Sequence, residues 1–288
     1  MRGLIRGGVS GWHGGLSFPT AATTGPAAGG YTSLTAQTAA DIPATSPYPS
    51  WVQEVDGGLL VEGCSFTGHI TANAGNVTFL GCQFTTGSGA GSSALTLNAS
   101  NYTVQYCTIG PPAGNSVQYG VYVDSGTGLT VDHCNIFGWQ NAISNTSPMT
   151  ITNNYIHDPT LAGGAHVDGI ICLYGVAGIT ISGNTILNPL TQTSAIALYN
   201  ESPFGTYSGT TVSGNLLGGG GYAMYCGTES GHSSTGLTVS GNWFTTAYWA
   251  QSGYFGSHTF SPTWGSSGNV WSGNAWYDGP DAGQAITG

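Results

Sequence analysis

One short cassette occurs nine times along this chain, and no other feature narrows the possible folds as far. The copies are LVEGCSF (60–66), FLGCQF (79–84), VQYCTI (104–109), VDHCNI (131–136), ITNNYI (151–156), ISGNTI (181–186), VSGNLL (212–217), VSGNWF (239–244) and WSGNAW (271–276). Each places an apolar residue three positions before a Cys or Asn and another two positions after it. The Cys/Asn positions are Cys64, Cys82, Cys107, Cys134, Asn154, Asn184, Asn215, Asn242 and Asn274, at spacings of 18 to 32 residues. A recurrence at this range of spacings marks stacked coils in which each unit buries its apolar face only against its neighbours. Short strands with an alternating apolar pattern, one bend and no helical period predict an all-β solenoid, a right-handed parallel β-helix of about nine coils. At the parallel-strand spacing, nine rungs make a rod of roughly 40 Å. The Cys/Asn is expected at the bend, where Asn tolerates left-handed backbone and its amide can pair with the Asn above and below.

Later in each coil a further strand is expected: 120–125, 141–146, 169–174, 195–200, 222–227 and 248–253. The segments between bend and strand vary in length, which puts loops on one side of the rod. Residues 1–58 lack the cassette and read as an N-terminal arm and cap. Residues 59–288 read as the β-helix with an aromatic-rich C-terminal cap, because a solenoid end has to be covered.

Composition agrees and excludes some partners. Glycine is the commonest residue at 49, aromatics reach 11%, and only 5% of residues are charged. Lysine is absent, the only arginines are Arg2 and Arg6, and the net charge is -10. Nucleic acid is not an expected partner, since phosphates call for a basic stripe. Membrane insertion is not expected either, as no apolar run is long enough. The start, MRGLIRGGVSGWHGG, lacks the apolar stretch of a signal peptide, so export by that route is not expected.

Four of the six cysteines share the bend column. Their side chains point the same way, so a ladder of buried, reduced thiols is favoured over disulfides, and neither zinc nor any other metal or cofactor is expected. The densest polar cluster is HDPTLAGGAHVDG, with His157, Asp158, His166 and Asp168 in one loop. Asp124, Glu201, Glu229 and His232 fall near the ends of later strands in neighbouring coils. They are ligand-binding candidates that would share one groove with the loop. Three readings of the loop stand side by side. Its carboxylates, or a His, act as acid and base on a sugar chain. Its Asp and His side chains bind a divalent cation. Its polar groups hydrogen-bond loop backbone that lacks ladder partners, and this last reading is favoured. Among the C-terminal aromatics, Trp271 and Trp276 sit at core positions, while Trp249 and Trp264 are freer to stack on a ligand.

VTFLGCQF, LTVDHCNIFG and ITISGNTI, together with NYIHD and AHVDGI, resemble right-handed parallel β-helix proteins of the pectate-lyase-like superfamily. The likeness is greatest to β-helix proteins of actinobacteria and their bacteriophages, in which H-x-D-G-I often follows such a cassette. It covers about residues 59–276, and His166, Asp168 and Gly169 match that motif. It implies a virion surface protein, such as a minor tail, spike or capsid decoration component. Such a protein would dock on other virion proteins through the N-terminal arm, contact host-surface polysaccharide and form a homotrimer. The alternative is a polysaccharide-cleaving hydrolase or lyase. The Arg or Lys base of pectate lyases is not available within the repeats, and the Asp-Asp pair and G-H-G segment of polygalacturonases are absent.

Overall fold

A computed structural model describes residues 16–86, 89–111, 117–161, 166–200, 205–229 and 232–288. Each of the nine cassettes forms two short strands on either side of one bend, from Gly58–Glu62 and Cys64–Thr67 to Val270–Ser272 and Ala275–Trp276. Strands before the bend stack into a first sheet, and strands after it into a second. A third sheet of eight strands, from Ile70–Ala72 to Gly256–Thr259, completes each coil. All strand pairings are parallel except the hairpin of Gln53–Val55 with Gly58–Glu62.

The cassette's apolar positions become two continuous core columns. Val61, Phe79, Val104, Val131, Ile151, Ile181, Val212 and Val239 align across the first sheet. Phe66, Phe84, Ile109, Ile136, Ile156, Ile186, Leu217 and Phe244 align across the second. All sixteen are buried. Registered stacking keeps every rung's apolar face on the same side, since a one-residue slip would turn it to solvent.

The bend differs from the sequence expectation in one respect. The left-handed residue is the one before the Cys or Asn: Gly63, Gly81, Tyr106, His133, Asn153, Gly183, Gly214, Gly241 and Gly273, with φ between 50° and 66°. The sharp turn there aims the next side chain into the core, so Cys and Asn are selected for what they bond to inside.

The first five expected strands of the third sheet overlap Val117–Val123, Trp139–Ser144, Asp168–Cys172, Ser194–Leu198 and Tyr222–Cys226. The sixth does not. Residues 248–253 form turns, with Ser252 N–H donating to Trp249 O and Ser252 at φ 73°, and the strand lies at Gly256–Thr259.

Residues 16–38 lie along the corner between the first and second sheets, running from the last rung back to the first. Phe18 packs edge-on against Tyr277, Gly25 N–H donates to His133 O, and Tyr31 OH donates to Glu62. The Tyr31 ring covers Gly81, where an added Cβ would come within 2.1 Å of it. The segment then enters the rod, as Thr35–Thr38 pairs with Cys64–Thr67 and Ile42 bridges Ala72. Trp51 closes this end over Phe66. Ile286, whose carbonyl accepts from Trp271 Nε1, closes the other.

Candidate functional site

The outer face of the third sheet is shaped by an irregularity repeated in successive rungs. A small residue and a larger apolar one, both buried, follow each other at Gly120–Val121, Ala142–Ile143, Gly169–Ile170, Ala195–Ile196 and Ala223–Met224. Strict alternation would put only one of each pair inside. At Gly169 the reason for the small residue is explicit: an added Cβ would meet Ile186 Cγ2 at 2.4 Å and Ala195 O at 2.6 Å. The inward turn of the small residue sends the one before it outward. Tyr119, Asn141, Asp168 and Ser194 therefore form one outer row in register. A second row runs Tyr122, Ser144, Ile171, Ala197 and Tyr225.

The second row is low in the middle, at Ser144, Ile171 and Ala197, and tall at its two tyrosines. The depression is a cavity of about 340 Å³ with Ile171 and Ala197 on its floor. Tyr119 and Tyr199 stand at its ends, with Gln140, Asn141, Asp168, His166 and Thr193 along one edge. A second cavity of about 420 Å³ shares His166 and Thr193 and continues to Tyr225, Tyr254 and Phe255. Together they make a groove along the rod axis across six rungs. Tyr199, Tyr225 and Phe260 pack on one another beside it, and Phe255 is 62% exposed.

Asp168 is the buried acid of this groove, only 1% exposed. Its Oδ1 accepts from Ser194 Oγ at 2.6 Å, and its N–H donates to Asn141 Oδ1 at 3.1 Å. Burial raises its pKa to about 7, against the opposing pull of the Ser194 hydrogen bond. It is thus partly protonated at neutral pH, and a protonated carboxyl both donates and accepts. His166 is exposed. One ring nitrogen lies 3.0 Å from Thr193 Oγ1, and its carbonyl accepts from Gln140 Nε2. Asn188 Nδ2 and the Thr193 N–H hold the Val167 carbonyl, so the motif is pinned to the next rung.

The family model described as "Right handed beta helix region" matches residues 114–275, more than half of the chain and the whole of this groove's floor. The chain belongs to the right-handed β-helix family. No curated protein and no solved structure matches it.

In this β-helix protein the loop cluster is divided between two sheets. His166 and Asp168 line the groove, whereas His157 ends the second-sheet strand Tyr155–His157. His157 bonds Asp158 Oδ2 at 2.8 Å and Asn135 Oδ1 at 2.9 Å, and stacks on Tyr155 and Phe137. Its hydrogen bond holds the Asp158 carboxyl below its usual range. This pair is a surface clamp and borders neither cavity.

The expected carboxylate groove does not form as drawn, because Asp168 opens its strand while Asp124 and Glu229 lie beyond the far ends of theirs. Asp124 accepts from Tyr122 OH, and Glu229 from Tyr199 OH at 3.0 Å, so both touch the groove only through tyrosines. His232 pairs through its backbone with Glu229, and Glu201 lies outside the described residues. Trp249 is half-buried, edge-on to Tyr254, which with Phe255 presents the free rings instead. Trp264 packs on Trp271 at the chain's end, away from the groove.

The sequence reading missed Tyr119, Asn141, Ser194 and Tyr199. The available signal was the residue preceding each small–large pair in the third strand. Among the described residues no three His, Cys, Asp or Glu side chains converge as a metal site needs.

Proposed function

We propose that this β-helix protein is a glycan-binding surface protein that holds an uncharged polysaccharide strand in the third-sheet groove. The observation carrying this reading is the groove's composition. Tyrosine and phenylalanine rings at intervals along it, with amide, hydroxyl and imidazole groups between them, match the apolar faces and hydroxyl rims of sugar rings. An open groove along the rod accommodates an extended polymer better than a compact metabolite. Retention of the purified protein on a panel of neutral polysaccharides by affinity electrophoresis is the test. Retention that falls about tenfold or more in Phe255→Ala and Tyr225→Ala supports the reading. No retention on any of them overturns it.

The sequence resemblance offers a finer form of this proposal, a bacteriophage virion component docked through its N-terminal segment and assembled as a homotrimer. A trimer mass by light scattering and peptides of the chain in purified particles support that form, and a monomer mass counts against it.

One observation favours a second reading, polysaccharide cleavage: Asp168, with its pKa near 7, can serve as a general acid beside His166. Most glycosidases need a second carboxylate about 5–10 Å away, and Asp168 is the only one lining its cavity among the described residues. Binding therefore ranks first. Reducing ends released by the wild type and not by Asp168→Asn would reverse the order.

A further inference from the structure

We propose that the cavity between Tyr119 and Tyr199 recognises the N-acetyl group of an acetamido sugar; the inference rests on the glycan-binding reading and names its ligand class. The floor of the cavity is Ile171 and Ala197, two aliphatic side chains in register on adjacent strands. The C–H face of any sugar ring can cover such a floor, but a hydroxyl placed against it loses water without a partner. An acetamido group brings a methyl for the floor, a carbonyl that needs a donor and an N–H that needs an acceptor. The edge of the cavity supplies both kinds of partner. Asn141 uses its Oδ1 on the Asp168 N–H, and its Nδ2 has no partner among the described residues. Gln140 uses its Nε2 on the His166 carbonyl, which leaves its Oε1 as an acceptor. Ser194 Oγ donates to Asp168 Oδ1 and holds the carboxyl at the cavity's edge.

Charge narrows the ligand further. Among the described residues no Lys or Arg lines the cavity, whereas Asp168 and His166 do. A uronic or sialic acid would bring a carboxylate beside Asp168 with no permanently charged Lys or Arg among the described lining residues to offset it. An acetamido sugar obtains specificity from an uncharged group, as this cavity requires. Its size, about 340 Å³, suits one pyranose ring with its substituent, and the adjoining 420 Å³ cavity suits the next units of the chain.

The test compares chitotetraose with cellotetraose, which share a β-1,4 backbone and differ in the acetamido group, by calorimetric titration of the full chain. Chitotetraose is expected to bind at least about tenfold more tightly, the usual value of one well-buried methyl-sized contact. In Ile171→Thr, which keeps a β-branched strand residue and makes the floor polar, that preference falls to near unity. Unaltered thermal unfolding separates this effect from misfolding. Equal binding of the two sugars overturns the inference and leaves the glycan groove standing. Failure of both sugars to bind while another neutral polysaccharide is retained also overturns it, and failure of every glycan overturns both proposals.

Discussion

The bend column is built from thiols between Cys64 and Cys134 and from amides between Asn154 and Asn274, yet its wiring is continuous. In both halves the column side chain accepts the backbone N–H of the column residue one rung earlier. Cys82 and Cys107 N–H donate to Cys107 and Cys134 Sγ at 3.4 Å, and Asn154 and Asn184 N–H donate to Asn184 and Asn215 Oδ1 at 2.9 Å. In both halves it also donates to the core carbonyl three residues before that earlier residue. Cys134 Sγ reaches Val104 O at 3.3 Å, and Asn184 Nδ2 reaches Ile151 O at 2.9 Å. At the seam Asn154 takes over without a break, accepting from Cys134 N–H and donating to Val131 O. The difference is the second amide proton. Each of Asn154, Asn184, Asn215 and Asn242 uses it on the next Asn at 2.9 Å, adding a side-chain ladder the thiols lack. The thiol half instead has Phe66, Phe79 and Phe84 in ring contact at the core positions flanking Cys64 and Cys82 in sequence. A buried thiol left imperfectly bonded loses little, whereas a buried amide has to have all its partners. One half is therefore held mainly by packing and the other by a polar network, and the groove lies across the seam between them.

Removing an amide tests this contrast most severely. Asn184→Ala strands the Asn154 N–H and Nδ2 and the Ile151 carbonyl in the core, and is expected to cost about 4 kcal/mol or more in urea unfolding. A cost near 1 kcal/mol would show that the amide ladder is incidental.

Asp168 tests the polar half from the groove side. Its carboxyl has its pKa raised from 3.8 to about 7, so the folded state keeps a proton that the unfolded chain releases. The group's contribution to stability is intact below pH 4, falls as pH rises between about 4 and 7, and is lost above the folded pKa. The full shift corresponds to an order of 4 kcal/mol. Asp168→Asn forgoes that loss and some of the Ser194 hydrogen bond. It is expected to be about 2 kcal/mol more stable than wild type at pH 8.5 and no more stable at pH 4. Parallel pH–stability curves for the two proteins would show that Asp168 ionises freely in the fold.

The thiol half should respond more weakly. Cys107→Ala loses one sulfur and leaves the Cys82 N–H without its acceptor, for about 1–2 kcal/mol. If it costs as much as Asn184→Ala, the two halves are not held differently. The smallest effect is expected from Cys134→Asn, which extends the amide column by one rung onto carbonyl and N–H partners already in place. A change within about 1 kcal/mol would show that the wiring is interchangeable. A large loss would mean the phenylalanine-rich core has no room for the amide.

Much of the rod was legible from the cassette because its signal is local. Apolar residues three before and two after the bend define two strands and their inward faces without any knowledge of neighbours. The Asn ladder followed from the same register. The left-handed position was misassigned by one residue, since Asn and Gly both tolerate it and sit side by side in SGN. The last third-sheet strand was displaced because the turns around Trp249–Ser252 lengthen that coil, and an apolar run in a turn reads like a strand. Half of the candidate site was legible: His166 and Asp168 do meet in a cavity. His157 and Asp158, nearby in sequence, were assigned to the same place because nothing in the loop's composition says that the chain turns a corner there.

What the sequence determined by itself is the repeat, the composition of the core and the absence of Lys and Arg across all the coils. Each follows from residue type and spacing alone. The tertiary structure decided which side chains share a surface. Tyr119, Asn141, Asp168 and Ser194 lie about 22 to 27 residues apart and become neighbours only because coils of unequal length return to the same register. The depression over Ile171 and Ala197 exists because those rungs place small or aliphatic residues where the flanking rungs place tyrosines. A parallel sheet joins residues a whole coil apart, so its outer surface is a property of the stack and not of any one stretch of chain.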